Sequence, residues 1–253
     1  MIDVSNLHVT LGDKQILKNI NFHVAPGEFI GLIGPNGSGK TTLLKTIAQL
    51  ITAKEGKIKI AGKDQKAYSH KEMARHLSYV PQDTHIDFNF NVKEVVSMGR
   101  HAHREFLQSN KADEEIIKEM MLATNTWSFR DDSILNLSGG QRQLVFIAKA
   151  LAQDAPLILL DEPVSALDIY YQMHILKLLQ ALTSQGKTVV TVLHDLNLAS
   201  RFSEKLLLLQ NGEVRTFGHS NEVLTEERLK ETYHIDAKIR RDELIDALNV
   251  TPL

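Results

Sequence analysis

Cysteine is absent from the 253 residues, which excludes a disulfide framework and any thiolate-held metal. Its absence also fits a reducing compartment, so a cytosolic chain is expected. Charge of either sign is not in excess: 29 Lys and Arg stand against 31 Asp and Glu, a net of −2. The broad positive surface that a phosphate backbone selects is therefore not expected, and neither is a nucleic-acid partner. No apolar run reaches the ~18 residues that a membrane-crossing helix needs. The opening Met1-Ile2-Asp3-Val4 lacks the basic and then apolar regions of a signal peptide. Work at a membrane is thus expected to depend on another chain as anchor. Internal repeats and low-complexity segments are missing too.

What remains is an ordinary globular composition, 43% hydrophobic and 24% charged. The length suits one large domain or a core with a smaller lobe. Residues 2–10 and 20–24 alternate apolar and polar side chains, as half-buried strands do, with Gly12-Asp13 as turn material. Residues 29–33 form a short apolar strand, and residues 41–48 carry helical spacing. Residues 57–60, followed by Ala61-Gly62, read as a hairpin edge. Helical periodicity dominates residues 94–98, 113–124 and 141–152, which marks 85–155 as a helical insertion. Fully apolar runs at 157–160 and 188–193, separated by a helix over 170–182, indicate a parallel sheet covered on both faces. Residues 206–209 with Asn211-Gly212 give a last strand and turn, and 221–253 reads as a tail of short helices.

Between the strand at 29–33 and the helix at 41–48 lies Gly34-Pro35-Asn36-Gly37-Ser38-Gly39-Lys40-Thr41. This is G-x-x-x-x-G-K-[ST], in the strand–loop–helix context its chemistry requires. Glycines at 34, 37 and 39 let the backbone curl its N–H groups toward phosphate oxygens, and the helix start adds positive potential. Lys40 reaches the β- and γ-phosphates of ATP, the Thr41 hydroxyl ligates Mg²⁺, and Thr42 completes the phosphate-binding set. Farther on, Leu157-Ile158-Leu159-Leu160 runs into Asp161, the Walker B pattern of a buried strand ending in a carboxylate. An Asp at that end of a parallel strand sits on the ligand-binding edge, where it holds Mg²⁺ directly or through water. Glu162 follows, placed as the base or orienter for the attacking water.

Leu137-Ser138-Gly139-Gly140-Gln141 lies between these two motifs. With it, the chain resembles the ATP-binding-cassette (ABC) ATPases over nearly its whole length. Ser138 and the two glycines open a helix with a hydroxyl and free N–H groups suited to a γ-phosphate. The resemblance implies that this surface acts on the nucleotide of a second copy, or of a paralogous ATPase, in a head-to-tail dimer. It also implies that Gln82 senses Mg²⁺ and water, that Ser165-Ala166-Leu167-Asp168 crosses to the partner, and that His194 is the switch residue on the γ-phosphate. The implied fold is α/β: a P-loop NTPase (RecA-like) core over 1–84 and 156–220, with an N-terminal antiparallel β subdomain and an inserted α-helical subdomain over 85–155. Two residues depart from the common pattern. Leu11 stands where an aromatic residue often stacks on adenine, and Val164 where threonine is common.

Three further stretches are similar to importer ATPases for iron chelates, haem and vitamin B12: 90–100, 165–169 with Gln172, and 194–199. That similarity implies transmembrane permease subunits as partners, an extracytoplasmic substrate-binding protein in the same system, and a place on the cytoplasmic face of the membrane. Another small solute is the alternative cargo. A soluble ABC ATPase acting on nucleic acid or ribosomes is the alternative class, disfavoured by the single cassette and the charge balance. His101 and His103 form an H-x-H pair without a third ligand at suitable spacing, and are expected to be a polar surface.

Overall fold

The computed structural model describes residues 1–103 and 111–253. At the N-terminus, β1 (Ile2–Leu11) and β2 (Lys14–Val24) pair antiparallel across the turn at Gly12. Ile2, Val4, Leu7 and Val9 are buried along β1, so its alternation is what commits one face to the core. After β3 (Phe29–Ile33) and α1 (Lys40–Ile47), β4 (Glu55–Ile60) adds to β1, and the short β5 (Lys63–Asp64) closes this sheet in the order β2-β1-β4-β5. The turn at Ala61-Gly62 therefore leads to a two-residue edge strand, with β4 itself inside the sheet.

Next come α2 (His70–His76) and β6 (Leu77–Val80), neither of which the sequence pattern announces. β6 offers only four residues, and it forms because β7 gives it a parallel neighbour in register from Leu77↔Leu157 to Val80↔Leu160. The inserted lobe contains α3 (Val92–Ser97), α4 (Lys111–Ala123) and α5 (Gly139–Ala152) around a small core of its own, with Val92, Val96, Ile117, Met121 and Val145 among its buried residues. The chain then returns through β7 (Leu157–Leu160), α6 (Ile169–Ser184), β8 (Thr188–Val192), α7 (Leu196–Phe202), β9 (Lys205–Gln210) and β10 (Glu213–Gly218).

The main sheet has the order β10-β9-β3-β8-β7-β6, parallel from β9 to β6 with β10 antiparallel on one edge. Its two faces are covered by different partners. Ile30, Leu32, Leu157, Leu159, Val190 and Val192 share a core with β1, β2, β4 and α1. Ile33, Ile158, Leu160, Val189 and Leu208 share the other with α5, α6 and α7. Burial on both sides is what makes these strands uniformly apolar.

The tail differs from the expectation of short helices throughout. After α8 (Ser220–Val223) and α9 (Glu226–Tyr233), the chain forms a hairpin of β11 (Ala237–Asp242) and β12 (Ala247–Pro252). Ala237, Ala247 and Val250 are buried, whereas Arg240 and Arg241 face solvent. The hairpin is fixed by α7 rather than by a core of its own: Asn197 Oδ1 accepts from the Val250 N–H at 2.7 Å, and Ser200 Oγ accepts from the Leu248 N–H at 2.9 Å. No helix among the described residues is long and apolar enough to cross a membrane.

Candidate nucleotide site

Four loops leave the same end of the parallel strands β3, β6, β7 and β8, and between them they carry the residues singled out from the sequence. The loop after β3 begins at Gly34, at φ +145°. A Cβ there would lie 2.1 Å from the Leu209 carbonyl oxygen, so the loop starts in a gap only glycine fits. Gly39, at φ +104°, turns the chain into α1. Lys40 is buried and donates its ammonium to the carbonyls of Gly34 at 2.8 Å and Pro35 at 2.9 Å. Burial draws its pKa below the ordinary lysine value, against the opposing charges of Glu162 and Asp161. Ser38 Oγ is buried and has no partner within the protein.

Asp161, directly after β7, is fully buried. Its Oδ1 accepts from the Thr41 hydroxyl at 3.1 Å and its Oδ2 from the Tyr79 hydroxyl at 3.4 Å. Burial raises its carboxyl above the usual range; the Thr41 bond pulls it down and the charge of Glu162 pushes it up. Glu162 sits in the left-handed region at φ +52°, a conformation that costs a non-glycine residue of order 1 kcal/mol. That kink turns its side chain away from Asp161 and toward the loops after β6 and β8. Its Oε1 lies 2.5 Å from His194 Nε2, and its Oε2 accepts from Gln82 Nε2 at 2.9 Å. Gln82, Glu162 and His194, distant in sequence, form one cluster.

These groups face a cavity of about 660 Å³ whose lining includes Lys40, Thr41, Thr42, Gln82, Glu162 and His194, together with Asn36, Gly37 and Gly39 of the loop. Gly34 and Pro35 line the neighbouring cavity of about 380 Å³, which Asn36 and His194 share. Lys14 and Ile16 of β2 also border the larger cavity, whereas Leu11 stands outside its lining and is exposed. Ile16, not Leu11, is thus the apolar side chain of this region on the cavity border. Its signal was weak: one half-buried position in an alternating strand.

Ser138 caps α5 in a reciprocal box: its Oγ accepts from the Gln141 N–H at 3.2 Å, and Gln141 Oε1 accepts from the Ser138 N–H at 3.0 Å. Leu137 is buried in the inserted lobe, and Ser138, Gly139 and Gln141 are exposed. A Cβ on Gly140 would come within 3.0 Å of the Ala166 carbonyl, so the first turn of α5 packs on the 165–168 loop. In that loop Ser165 Oγ donates to the Glu162 carbonyl at 3.0 Å, Leu167 is buried, and Asp168 caps α6 through the Tyr171 N–H at 3.0 Å. None of residues 137–141 borders the cavity around Lys40. His103 Nε2 lies 2.8 Å from the Gln153 carbonyl and His101 is exposed, and no cluster of metal-ligating side chains occurs among the described residues.

A sequence profile described as ABC transporter matches residues 17–165. The chain is 39% identical over 243 residues to the iron(3+)-hydroxamate import ATP-binding protein of Bacillus subtilis, covering 95% of this chain and 90% of that one. It is 36% identical over 253 residues to the cobalamin import ATP-binding protein of Halobacterium salinarum, and spans 63% of that protein's length. Among solved structures, an inward-facing ABC transporter described as of metal-chelate type superposes with a TM-score of 0.84 at 31% identity, over 100% of this chain and 97% of that one.

Proposed function

Since the chain belongs to the ABC transporter family, we propose that it binds and hydrolyses ATP as the engine of an importer for an iron chelate, haem or vitamin B12. The observation that carries this reading is the convergence of Lys40, Thr41 with Asp161 bonded behind it, and the Gln82–Glu162–His194 cluster on one cavity. In this reading the loop amides and Lys40 hold the β- and γ-phosphates; the Ser38 hydroxyl, buried without a protein partner, belongs to the same loop. Thr41 and Asp161 supply only oxygen donors, and the Asp161 carboxyl is raised by burial, which fits Mg²⁺. When bound, that ion supplies charge neutralisation to the phosphate oxygens. Glu162 takes the proton of the attacking water as its oxygen bonds to the γ-phosphorus and the bond to the bridging oxygen breaks. Gln82 and His194 orient that carboxylate, and His194 is placed to follow the γ-phosphate.

The exposed Ser138 cap, with its helix N-terminus and free N–H groups, is an anion site that this chain's own cavity does not use. This supports a head-to-tail pair of chains, each closing the other's nucleotide site, with 165–168 at the crossing. The two relatives are named import ATP-binding proteins, which supports a transporter as the setting; permease subunits as further partners, a substrate-binding protein in the system and a place at the cytoplasmic face of the membrane belong to the same proposal. Uptake of labelled ferric siderophore, haem and vitamin B12 in cells carrying the wild type or Lys40→Ala tests the proposal. Loss of one cargo in the variant supports it and names the substrate; equal entry of all three refutes the cargo class.

A further inference from the structure

Tyr79 belongs to none of the motifs above, yet among the described residues its hydroxyl is one of two that reach the carboxylate of Asp161. The placement follows from the sheet. β6 and β7 run parallel with Tyr79 opposite Leu159, and the Asp161 N–H continues the ladder by donating to the Val80 carbonyl at 2.9 Å. Residues two apart on a strand share a face, so Tyr79, Leu159 and Asp161 point to the same side. The diagonal from Tyr79 to Asp161 is a span that an aromatic side chain covers. Tyr79 also borders a cavity of about 220 Å³ whose lining includes Met73, Leu77, Phe146 and Ala150.

We infer that Tyr79 is a positioning residue for the metal-side carboxylate: its hydroxyl holds Asp161 Oδ2, which fixes the carboxylate plane and leaves Oδ1 turned to Thr41. The inference rests on the reading that Thr41 and Asp161 hold Mg²⁺. Asp161 is fully buried, so its orientation depends on the few donors that reach it. Removing one of two leaves the carboxylate free to rotate about its last torsion, and a ligand that must be ordered on binding binds more weakly. The bond is 3.4 Å long, which places the expected effect at the low end of what loss of an outer-shell partner does, about 10-fold.

The test is Mn²⁺ binding to the full chain in the presence of ATP, read by electron paramagnetic resonance of the free ion, beside metal-free binding of a fluorescent ATP analogue. Tyr79→Phe is expected to weaken Mn²⁺ about 10-fold and to leave metal-free nucleotide affinity and the melting midpoint within error of wild type. Tyr79→Met, which keeps apolar bulk without a hydroxyl, is expected to do the same and serves if the phenylalanine variant fails to fold. Mn²⁺ affinity that depends on Asp161, tested by Asp161→Asn, but is unchanged in the Tyr79 variants overturns the inference alone. Mn²⁺ affinity indifferent to Asp161→Asn overturns it together with the metal assignment. Equal loss of Mn²⁺ and metal-free nucleotide binding in the Tyr79 variants marks a packing role and also overturns it.

Discussion

Gly34 and Gly37 belong to the same motif but are held by different physics, and replacing each with alanine separates the two. A Cβ on Gly34 would stand 2.1 Å from the Leu209 carbonyl oxygen and 3.0 Å from Ser38 Oγ. The first obstacle is the backbone of a central strand, so the loop rather than β9 must give way, by about 1 Å to reach ordinary contact. Overpacking against backbone costs about 2–3 kcal/mol, which for a chain of this size lowers the melting midpoint by roughly 5–10 °C. The shift also carries the loop amides proposed to face the phosphates and the two carbonyls that hold Lys40. A 1 Å misplacement of such groups costs on the order of 100-fold, so the Kd for ATP should rise by about that factor. A Cβ on Gly37 meets no protein atom within 4 Å, and only its φ of +76° opposes substitution. Strain of about 1 kcal/mol predicts a melting shift of only ~2–4 °C for Gly37→Ala without nucleotide. Calorimetry of both variants, followed by titration with ATP, makes the comparison. Equal melting of the two, or wild-type ATP affinity in Gly34→Ala, would refute the claim that close approach to β9 shapes the loop.

Glu162→Gln should slow hydrolysis about 10²- to 10⁴-fold while ATP binds within about 3-fold of wild type, because the amide keeps an oxygen for Gln82 but takes no proton. Single-turnover release of phosphate measures it, and a wild-type rate sinks the role of Glu162. Asp161→Asn should raise the stability of the nucleotide-free chain near neutral pH. Burial raises the Asp161 carboxyl, so ionisation disfavours the fold above the unfolded carboxylate range, and that cost disappears as pH falls through the raised value. The variant should therefore melt above wild type at pH 7, with the gap closing toward acid. A gap that widens in acid would have the wrong sign for this account.

How much of this was legible in the sequence depended on where each element draws its stability. β3, β7 and β8 are buried on both faces, and their uninterrupted apolar runs declare them. β6 is an edge strand whose four residues pair on one side only, so its existence is a fact about β7 more than about Leu77 to Val80. The terminal hairpin was hidden for a related reason. Its register sets Ile239 opposite Val250 and Arg241 opposite Leu248, but its anchors are Asn197 and Ser200, some fifty residues upstream. Charged residues filling its outer face obscure the alternation, and the pattern passes for short helices. At the site, the glycine loop and Asp161 announce themselves because their chemistry and their local context coincide. Lys14, Ile16 and Tyr79 were silent: the first two reach the cavity from a strand of the other sheet, and Tyr79 meets Asp161 only through the pairing of β6 with β7.

That order also accounts for the division of labour within the chain. Gly34, Gln82, Asp161 and His194 follow β3, β6, β7 and β8 respectively, so one edge of one sheet carries together the groups proposed as phosphate contacts, metal ligands and base. A crevice at the carboxyl ends of parallel strands is where such topologies place ligands, and the spacing between these residues in sequence is set by the helices and lobe that cross over between strands. The Ser138 cap obeys a different constraint. It opens a helix of the inserted lobe and is joined to the sheet edge through the packing of Gly140 on Ala166. Its hydroxyl and amides thus belong to the lobe, while the groups around Lys40 belong to the strands. In the proposed reading, dividing the phosphate ligands between the sheet edge and the lobe lets nucleotide occupancy bias a movement between them, because only a ligand that contacts the two bodies differently in two positions shifts their balance.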